Sequence, residues 1–314
     1  MKIVLPSPKF PLKIGTRGSP LALAQANETR ERLSNAFNIH INSFKILVIK
    51  TTGDKIIDRP LKEIGGKGLF TKEIEQELLE GKIDIAVHSM KDMPVEQPNG
   101  LILDTYLPRE DPRDALVANS SVNNLKNLPN GTIVGTSSMR RHAQLKFRRP
   151  DLQIVEFRGN VQTRLKKLAD GVANCTFLAM AGLNRLGMSH IATSVISVDE
   201  MLPAIAQGAI GVERRVSDQN TKQMLEAIHD ASTGKILAAE RAFLAALDGS
   251  CETPIAGAAI LIGNTVRLRG EILRPDGSEC VADDKTAPIE DAAELGKAMG
   301  KELRIRAGSD FFYW

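Results

Sequence analysis

Aromatic residues are scarce in this chain. Phe, Trp and Tyr make up 4% of its 314 residues, with a single Trp, too few for the stacking platform that holds single-stranded nucleic acid. Net charge is equally slight at +3, so no global field draws the chain to nucleic acid or to a membrane surface. Cysteine occurs only at positions 175, 251 and 280. An odd number, widely spaced and without a CxxC pair, makes neither a disulfide framework nor a zinc site. The five histidines are scattered, so no metal centre is expected. No apolar run approaches the ~18 residues of a membrane span, and the opening Met1-Lys2-Ile3-Val4-Leu5-Pro6 has no apolar core for a secretory signal. The expectation is a soluble cytoplasmic protein with no metal, no membrane and no nucleic acid.

What is present is an alternation of apolar runs, short polar loops and amphipathic runs. Lys45 to Ile49, Ile83 to Val87, Thr132 to Gly135, Ile154 to Phe157 and Thr176 to Met180 read as strands. Between them, Thr71 to Leu79, Thr136-Ser137-Ser138 through Leu145, and Val161 to Leu168 read as helices, with hydroxyl or amide residues at their starts. Such alternation predicts α/β layers, in which ligands gather beyond the carboxyl ends of the strands. The charged, proline-broken stretch Leu107 to Asp114 has the composition of a hinge, and a second break lies near Met201-Leu202-Pro203 before a short return strand at Ile210. From about residue 228 the character changes. A helix, Ile236 to Leu247, precedes strands Ala258 to Ile262 and Val266 to Ile272, the turn Arg274 to Gly277, and a last helix, Ile289 to Arg306.

Three features bear on chemistry. Between Thr136 and Lys167 stand nine Lys or Arg against only Asp151 and Glu156. Arg140 and Arg141 fall in the first turn of a helix and Arg158 at a strand end. Cations at a helix N-terminus oppose its dipole unless an anion arrives, and guanidinium grips carboxylate or phosphate with two prongs. The alternative is a solvated basic face, the reading that suits Lys146, Arg148, Arg149, Lys166 and Lys167. Asp92 follows a strand of buried-type residues, where a carboxylate can steady a cation or move a proton; the alternative is a turn aspartate capping local N–H groups. His88 reads as a packed strand-end histidine. Cys251, in Leu247-Asp248-Gly249-Ser250-Cys251-Glu252-Thr253-Pro254-Ile255, is the one cysteine in a glycine- and proline-flanked loop, although buried inert cysteines outnumber nucleophilic ones. Gly65-Gly66-Lys67-Gly68 fails the GxxxxGK[ST] phosphate-loop spacing and reads as a glycine-rich lid.

Taken together, the motifs resemble one family. Thr16-Arg17-Gly18-Ser19-Pro20-Leu21-Ala22-Leu23, Gly65 to Phe70, Ala86-Val87-His88-Ser89-Met90-Lys91-Asp92-Met93-Pro94, Arg109 to Asp114, Gly135 to Arg141, Arg158 to Arg164, Gln207 to Gly211 and the Cys251 loop run in one collinear order, as in porphobilinogen deaminases. The resemblance implies two periplasmic-binding-protein-like α/β domains with a double hinge, residues 1–108 with 208–227 and residues 109–207. It adds a small α+β domain with an open-faced antiparallel sheet, residues 228–314. It further implies a dipyrromethane cofactor held by a thioether on Cys251, with porphobilinogen as substrate, in a monomer. Asp92 is implied as the catalytic carboxylate. Ser19, Lys91, Asp92, Thr136, Ser138, Arg140 and Arg141 are implied around the cofactor, and Arg17, Ser89, Arg158, Arg164, Arg185 and Gln207 around substrate. The chain departs from the pattern at Gly18, at Glu63 (where some members carry Lys; here Lys62 precedes it) and at Asn174-Cys175, so Lys62 and Glu63 are assigned no role. Two rival readings remain at this stage, an arginine-lined anion-binding module and a phosphate-handling transferase using the glycine loop. The first needs neither Cys251 nor Asp92.

Overall fold

The computed structural model describes residues 3–55, 68–119, 122, 124–250 and 253–311. Cys251, the stretch from Lys62 to Lys67 and the last three aromatic residues lie outside them. The chain forms two compact units, Met1–Arg109 with Ala209–Gly234, and Glu110–Gly208 with Lys235–Trp314.

In the first unit, β1 (Leu12–Thr16), β2 (Phe44–Val48), β3 (Ile85–Ser89), β4 (Leu101–Tyr106) and β10 (Ile210–Arg215) make one sheet in the order β2-β1-β3-β10-β4. β1 runs parallel to β2 and β3, whereas β10 is antiparallel to β3 and β4. The helix Pro20–Phe37 links β1 to β2. It starts on Pro at its first position with Ser19 capping the Ala22 N–H, and ends on Asn38 in the left-handed region. Its buried Ala26 and Leu33 meet Ile14, Phe44, Val87 and Val212 on one face of the sheet. The helix Lys72–Leu79 places Ile74 and Leu78 on the other face, against Ile83, Ala86 and Leu101. Both faces are covered, which is why β3 reads as a near-continuous buried run rather than an alternation.

In the second unit, β5 (Asp114–Ala118), β6 (Ile133–Gly135), β7 (Gln153–Val155), β8 (Cys175–Ala179) and β9 (Ser194–Val195) follow the same plan, in the order β7-β6-β8-β5-β9. β6 is parallel to β7 and β8, and β5 is antiparallel to β8 and β9. In each sheet the fourth strand is antiparallel, and it is the first strand laid down after the chain enters that unit from the other. Both units are thus α/β layers built on one strand plan. The remaining sheet, β11 (Ile255–Ile262), β12 (Thr265–Leu273) and β13 (Cys280–Pro288), is an antiparallel meander. The helix Ala292–Ala307 covers it and approaches the helix Ala231–Ala246 so closely that a Cβ at Gly296 would lie 2.0 Å from the Ala239 carbonyl oxygen. That approach is open only to glycine. The last helix begins three residues later than its sequence pattern indicates, after a 3₁₀ turn at Ile289–Asp291.

Candidate active site

Within the first unit, Arg17, Ser19, Ser89 and Asp92 line one half-open concavity together with Thr16, Gln25, Phe70, Thr71 and His88. The sheet puts them there. Arg17 follows the end of β1, Ser89 ends β3, and β1 and β3 are parallel neighbours whose carboxyl ends share one edge. Asp92 closes the 3₁₀ turn Met90–Asp92, in which buried Met90 donates its N–H to the Ala209 carbonyl at 3.0 Å. Lys91 stands beside it in the same turn, half-buried. The Arg17 guanidinium lies over the Phe70 ring at 4.0 Å, a cation–π stacking that favours one orientation of its plane. Ser19 accepts the Ala22 N–H at 3.2 Å as a helix cap. Capping uses an oxygen lone pair, so the hydroxyl hydrogen remains a donor. Ser89 pairs with the buried amide of Gln25 at 2.8 Å.

His88 is structural, as its position at a strand end indicates. It is buried and bonds Glu213 Oε2 at 3.0 Å. Glu75 lies buried near the same pair. Burial, and then the neighbouring Glu213, push its carboxyl above the usual glutamate range, against Thr71, His88 and Lys72. A folded-state acid with a raised pKa holds its proton more tightly than the unfolded chain, so stability is lost as pH rises above the ordinary glutamate value. Glu75→Gln, which stays neutral, should therefore melt higher than the parent at pH 8, by about a degree or two in a chain of this length. The gain should vanish near pH 4. Thermal melts at the two pH values check this; an equal shift at both would remove Glu75 titration as the cause.

In the second unit the arginines are more deeply engaged than their sequence setting indicates. Ser138 caps the helix Met139–Arg148, accepting from Arg141 N–H, and Arg140 and Arg141 follow in its first turn, each 4% exposed. An anion does meet them, from within the chain. Asp114, 1% exposed at the head of β5, accepts from Arg140 Nη1 at 2.7 Å and from Arg141 Nη2 at 2.8 Å. Burial pushes the Asp114 carboxyl up, but the two guanidiniums outweigh it and hold it far below the usual carboxylate range. Gln207 donates to the same carboxylate at 2.9 Å and to the Pro112 carbonyl at 2.7 Å. Thr136 accepts the Ser138 N–H at 3.2 Å, and Arg185 donates to the Gly208 carbonyl at 3.0 Å.

Asp114 alone does not neutralise this cluster, although Glu271 also bears on Arg140. Burial, then the like charges of Arg141 and Arg158, pull Arg164 down to about 10, with Glu156 opposing. Arg140 Nε and Arg158 Nη1 are buried with no hydrogen-bond partner among the described residues. Unpaired buried donors on cations are costly, and carboxylates on a bound molecule would pair them. A dipyrromethane bearing acetate and propionate groups fits that requirement. The site residues therefore fall into two sets. Arg17, Ser19, Ser89, Lys91 and Asp92 belong to the first unit, and Thr136, Ser138, Arg140, Arg141, Arg158, Arg164, Arg185 and Gln207 to the second.

Gln25, Phe70, Glu213 and Asp114 were not singled out from sequence. Only Asp114 left a local trace there, a carboxylate heading the apolar run Ala115-Leu116-Val117, which obliges a buried cation nearby. Among the described residues no group of His, Cys, Asp and Glu is arranged to hold a metal ion, and no helix is long and apolar enough to cross a membrane.

An α/β fold with a carboxylate at one strand edge and an under-neutralised arginine cluster at another is that of an enzyme or binder of polyanionic organic molecules. Comparison with known proteins decides between them. Residues 12–223 match the family model for the porphobilinogen deaminase, dipyrromethane cofactor binding domain, and residues 235–304 match the one for the porphobilinogen deaminase C-terminal domain. The porphobilinogen deaminase of Paracoccus denitrificans is 62% identical over 310 residues, 99% of each chain. The chloroplastic porphobilinogen deaminase of Oryza sativa is 51% identical over 307 residues, 96% of this chain and 85% of that one. Among solved structures, the VFT2 domain of Bordetella pertussis BvgS aligns with a TM-score of 0.41 at 14% identity, over 73% of this chain and 91% of that one. The chain belongs to the porphobilinogen deaminase family, and its function is the one that family carries, with a dipyrromethane cofactor.

Proposed function

We propose that this chain is a transferase that condenses four porphobilinogen molecules head to tail and releases the linear product, hydroxymethylbilane, by hydrolysis, acting as a cytoplasmic monomer in tetrapyrrole (haem) biosynthesis. The working division into three domains is residues 1–108 with 208–227, 109–207, and 228–314. When bound, the dipyrromethane supplies a tethered pyrrole with a free α-carbon as the nucleophile, and Cys251 is the residue assigned to its thioether.

The residues then have separate tasks. Asp92 accepts a hydrogen bond from the substrate pyrrole N–H and steadies the positive charge that develops as ammonia leaves. Its carboxylate also takes up and returns protons during the exchange. Arg17, stacked on Phe70, and the hydroxyls of Ser19 and Ser89 orient substrate carboxylates beside it. Lys91 adds a cation next to Asp92. Arg140, Arg141, Arg158, Arg164 and Arg185, with Thr136, Ser138 and Gln207, hold carboxylates of the growing chain. Each added ring brings two more negative groups, so fixed cations must outnumber the fixed acids around them. A tether keeps intermediates from diffusing away between additions.

The observation that carries this assignment is the pair of buried donors, Arg140 Nε and Arg158 Nη1, that have no partner among the described residues of a net-positive cluster. Arg158→Gln should raise the KM for porphobilinogen about tenfold, the loss of one charge-assisted hydrogen bond, while leaving the melting temperature unchanged or higher, because repulsion with Arg164 is relieved. Steady-state kinetics with a melt on the same sample check it. An unchanged KM would return Arg158 to the solvated face. Intact mass of the purified chain tests the wider reading. The enzyme should be heavier than its polypeptide by a covalent dipyrrole, whereas a bare mass with tight carboxylate binding would mark a binding module.

A further inference from the structure

We propose that Asp114 is a positioning residue for the anion-binding arginines, fixing which edge of Arg140 and of Arg141 faces a ligand carboxylate. The inference rests on the reading of these arginines given above. Asp114 Oδ2 accepts from Arg140 Nη1 at 2.7 Å and Arg141 Nε at 3.2 Å, and Oδ1 from Arg141 Nη2 at 2.8 Å and Gln207 Nε2 at 2.9 Å. Four donors fill the four lone-pair sites of a carboxylate, so Asp114 has no capacity left to bind anything else.

The two neighbouring arginines are left in different states. Arg140 Nη1 gives its second hydrogen to the Leu202 carbonyl at 2.8 Å. What remains is the edge formed by Nε and Nη2, with Nε buried and unpartnered among the described residues. That edge is one of the two-pronged faces on which guanidinium takes a carboxylate. Arg141 is held the other way. Its Nε–Nη2 edge is closed by Asp114 and one Nη1 hydrogen by the Phe177 carbonyl at 2.7 Å, so only its Nη1–Nη2 end remains. A single buried acid thus turns one arginine into a two-pronged receptor and the other into its brace. Without Asp114, Arg140 would lose the contact that fixes its rotation, and two like charges would repel at the start of a helix that disfavours them.

The test is a double-mutant cycle read on cofactor loading. Wild type, Asp114→Asn, Arg140→Gln and the double variant are prepared free of cofactor and incubated with porphobilinogen. Covalent dipyrrole per chain is followed over time by intact mass, with circular dichroism as the control for folding. Each single variant should load roughly tenfold more slowly, the cost of a weakened charge-assisted bond. The double variant should load at most a few-fold more slowly than Arg140→Gln alone, because Asp114 acts chiefly through Arg140 and only secondarily through its brace Arg141. A purely structural role would move folding and loading together and give losses that multiply. Multiplied losses, or an Asp114→Asn chain loading at the wild-type rate, would overturn the inference. Should Asp114→Asn fail to fold, the double variant, which removes the charge together with its partner, still decides against Arg140→Gln by the same comparison. A wild-type chain that takes up no dipyrrole would overturn the reading of the site itself, a result distinct from multiplied losses in a chain that loads.

Discussion

A Cys251→Ser chain should fold, show the bare polypeptide mass and lose turnover by on the order of 10³-fold or more, as removal of a covalent anchor does. The chemistry of the other two thiols makes this a sharp expectation. The thiolate is the reactive form of cysteine. Burial pushes Cys175, the first residue of β8, up to about 12. Burial and then the Glu271 carboxylate push Cys280 up to about 12 as well, against the weaker pull of Arg148. Both are held further toward the protonated form than a free cysteine, which disfavours either as the attachment point. Cys175→Ser and Cys280→Ser should therefore keep full dipyrrole loading, and the three intact masses can be compared side by side. Serine at 251 is nearly isosteric but its hydroxyl ionises far above neutral pH, so geometry is kept while the nucleophile is lost. A dipyrrole still present in Cys251→Ser, or its disappearance from either of the other two variants, would move the attachment elsewhere.

The difference between what the sequence declares and what only the fold reveals follows the distance between partners. Local signals held. Asn160 caps the helix Val161–Ala169 through the Thr163 N–H at 2.9 Å, Ser138 caps the next helix upstream, and Gly277 takes positive φ in the turn before β13. Each depends on residues a few positions apart, where backbone chemistry is directly readable. Thr71 is the exception. It sits at the start of the helix Lys72–Leu79 but makes no side-chain cap bond.

Partners far apart in the chain were hidden. The anion that Arg140 and Arg141 require in their helix turn is Asp114, 26 and 27 positions away. The acid that satisfies His88 is Glu213, 125 positions away on the neighbouring antiparallel strand. Charge counting along a window reports an excess of cations but not which of them the fold has already paired. The basic stretch is thus partly internal structure, as with Arg140 and Arg141, and partly surface, as with Lys166, whose ammonium bonds Asp170 one helical turn on. Internal pairing leaves Arg140 Nε and Arg158 Nη1 buried without a partner among the described residues, and these are the donors proposed to face a ligand.

Asp92→Asn should separate binding from chemistry. The substitution keeps shape and one acceptor oxygen but removes the charge. The turn that carries Asp92 is fixed by Met90, through its N–H to Ala209 and by the Met93 N–H returning to the Met90 carbonyl at 3.2 Å, and neither bond involves the carboxylate. Folding and porphobilinogen binding should be close to wild type. Turnover should fall roughly 10²–10⁴-fold, the usual contribution of a positioned proton-transfer group, because positive charge on a pyrrole nitrogen would develop without its counter-ion. Rapid-quench measurement of ammonia release beside equilibrium binding of porphobilinogen distinguishes the cases. A large loss in kcat with a small change in binding places Asp92 at the reacting atoms. An equal loss of both, with a lowered melting temperature, would instead make Asp92 a turn residue whose carboxylate serves only to hold the concavity in shape.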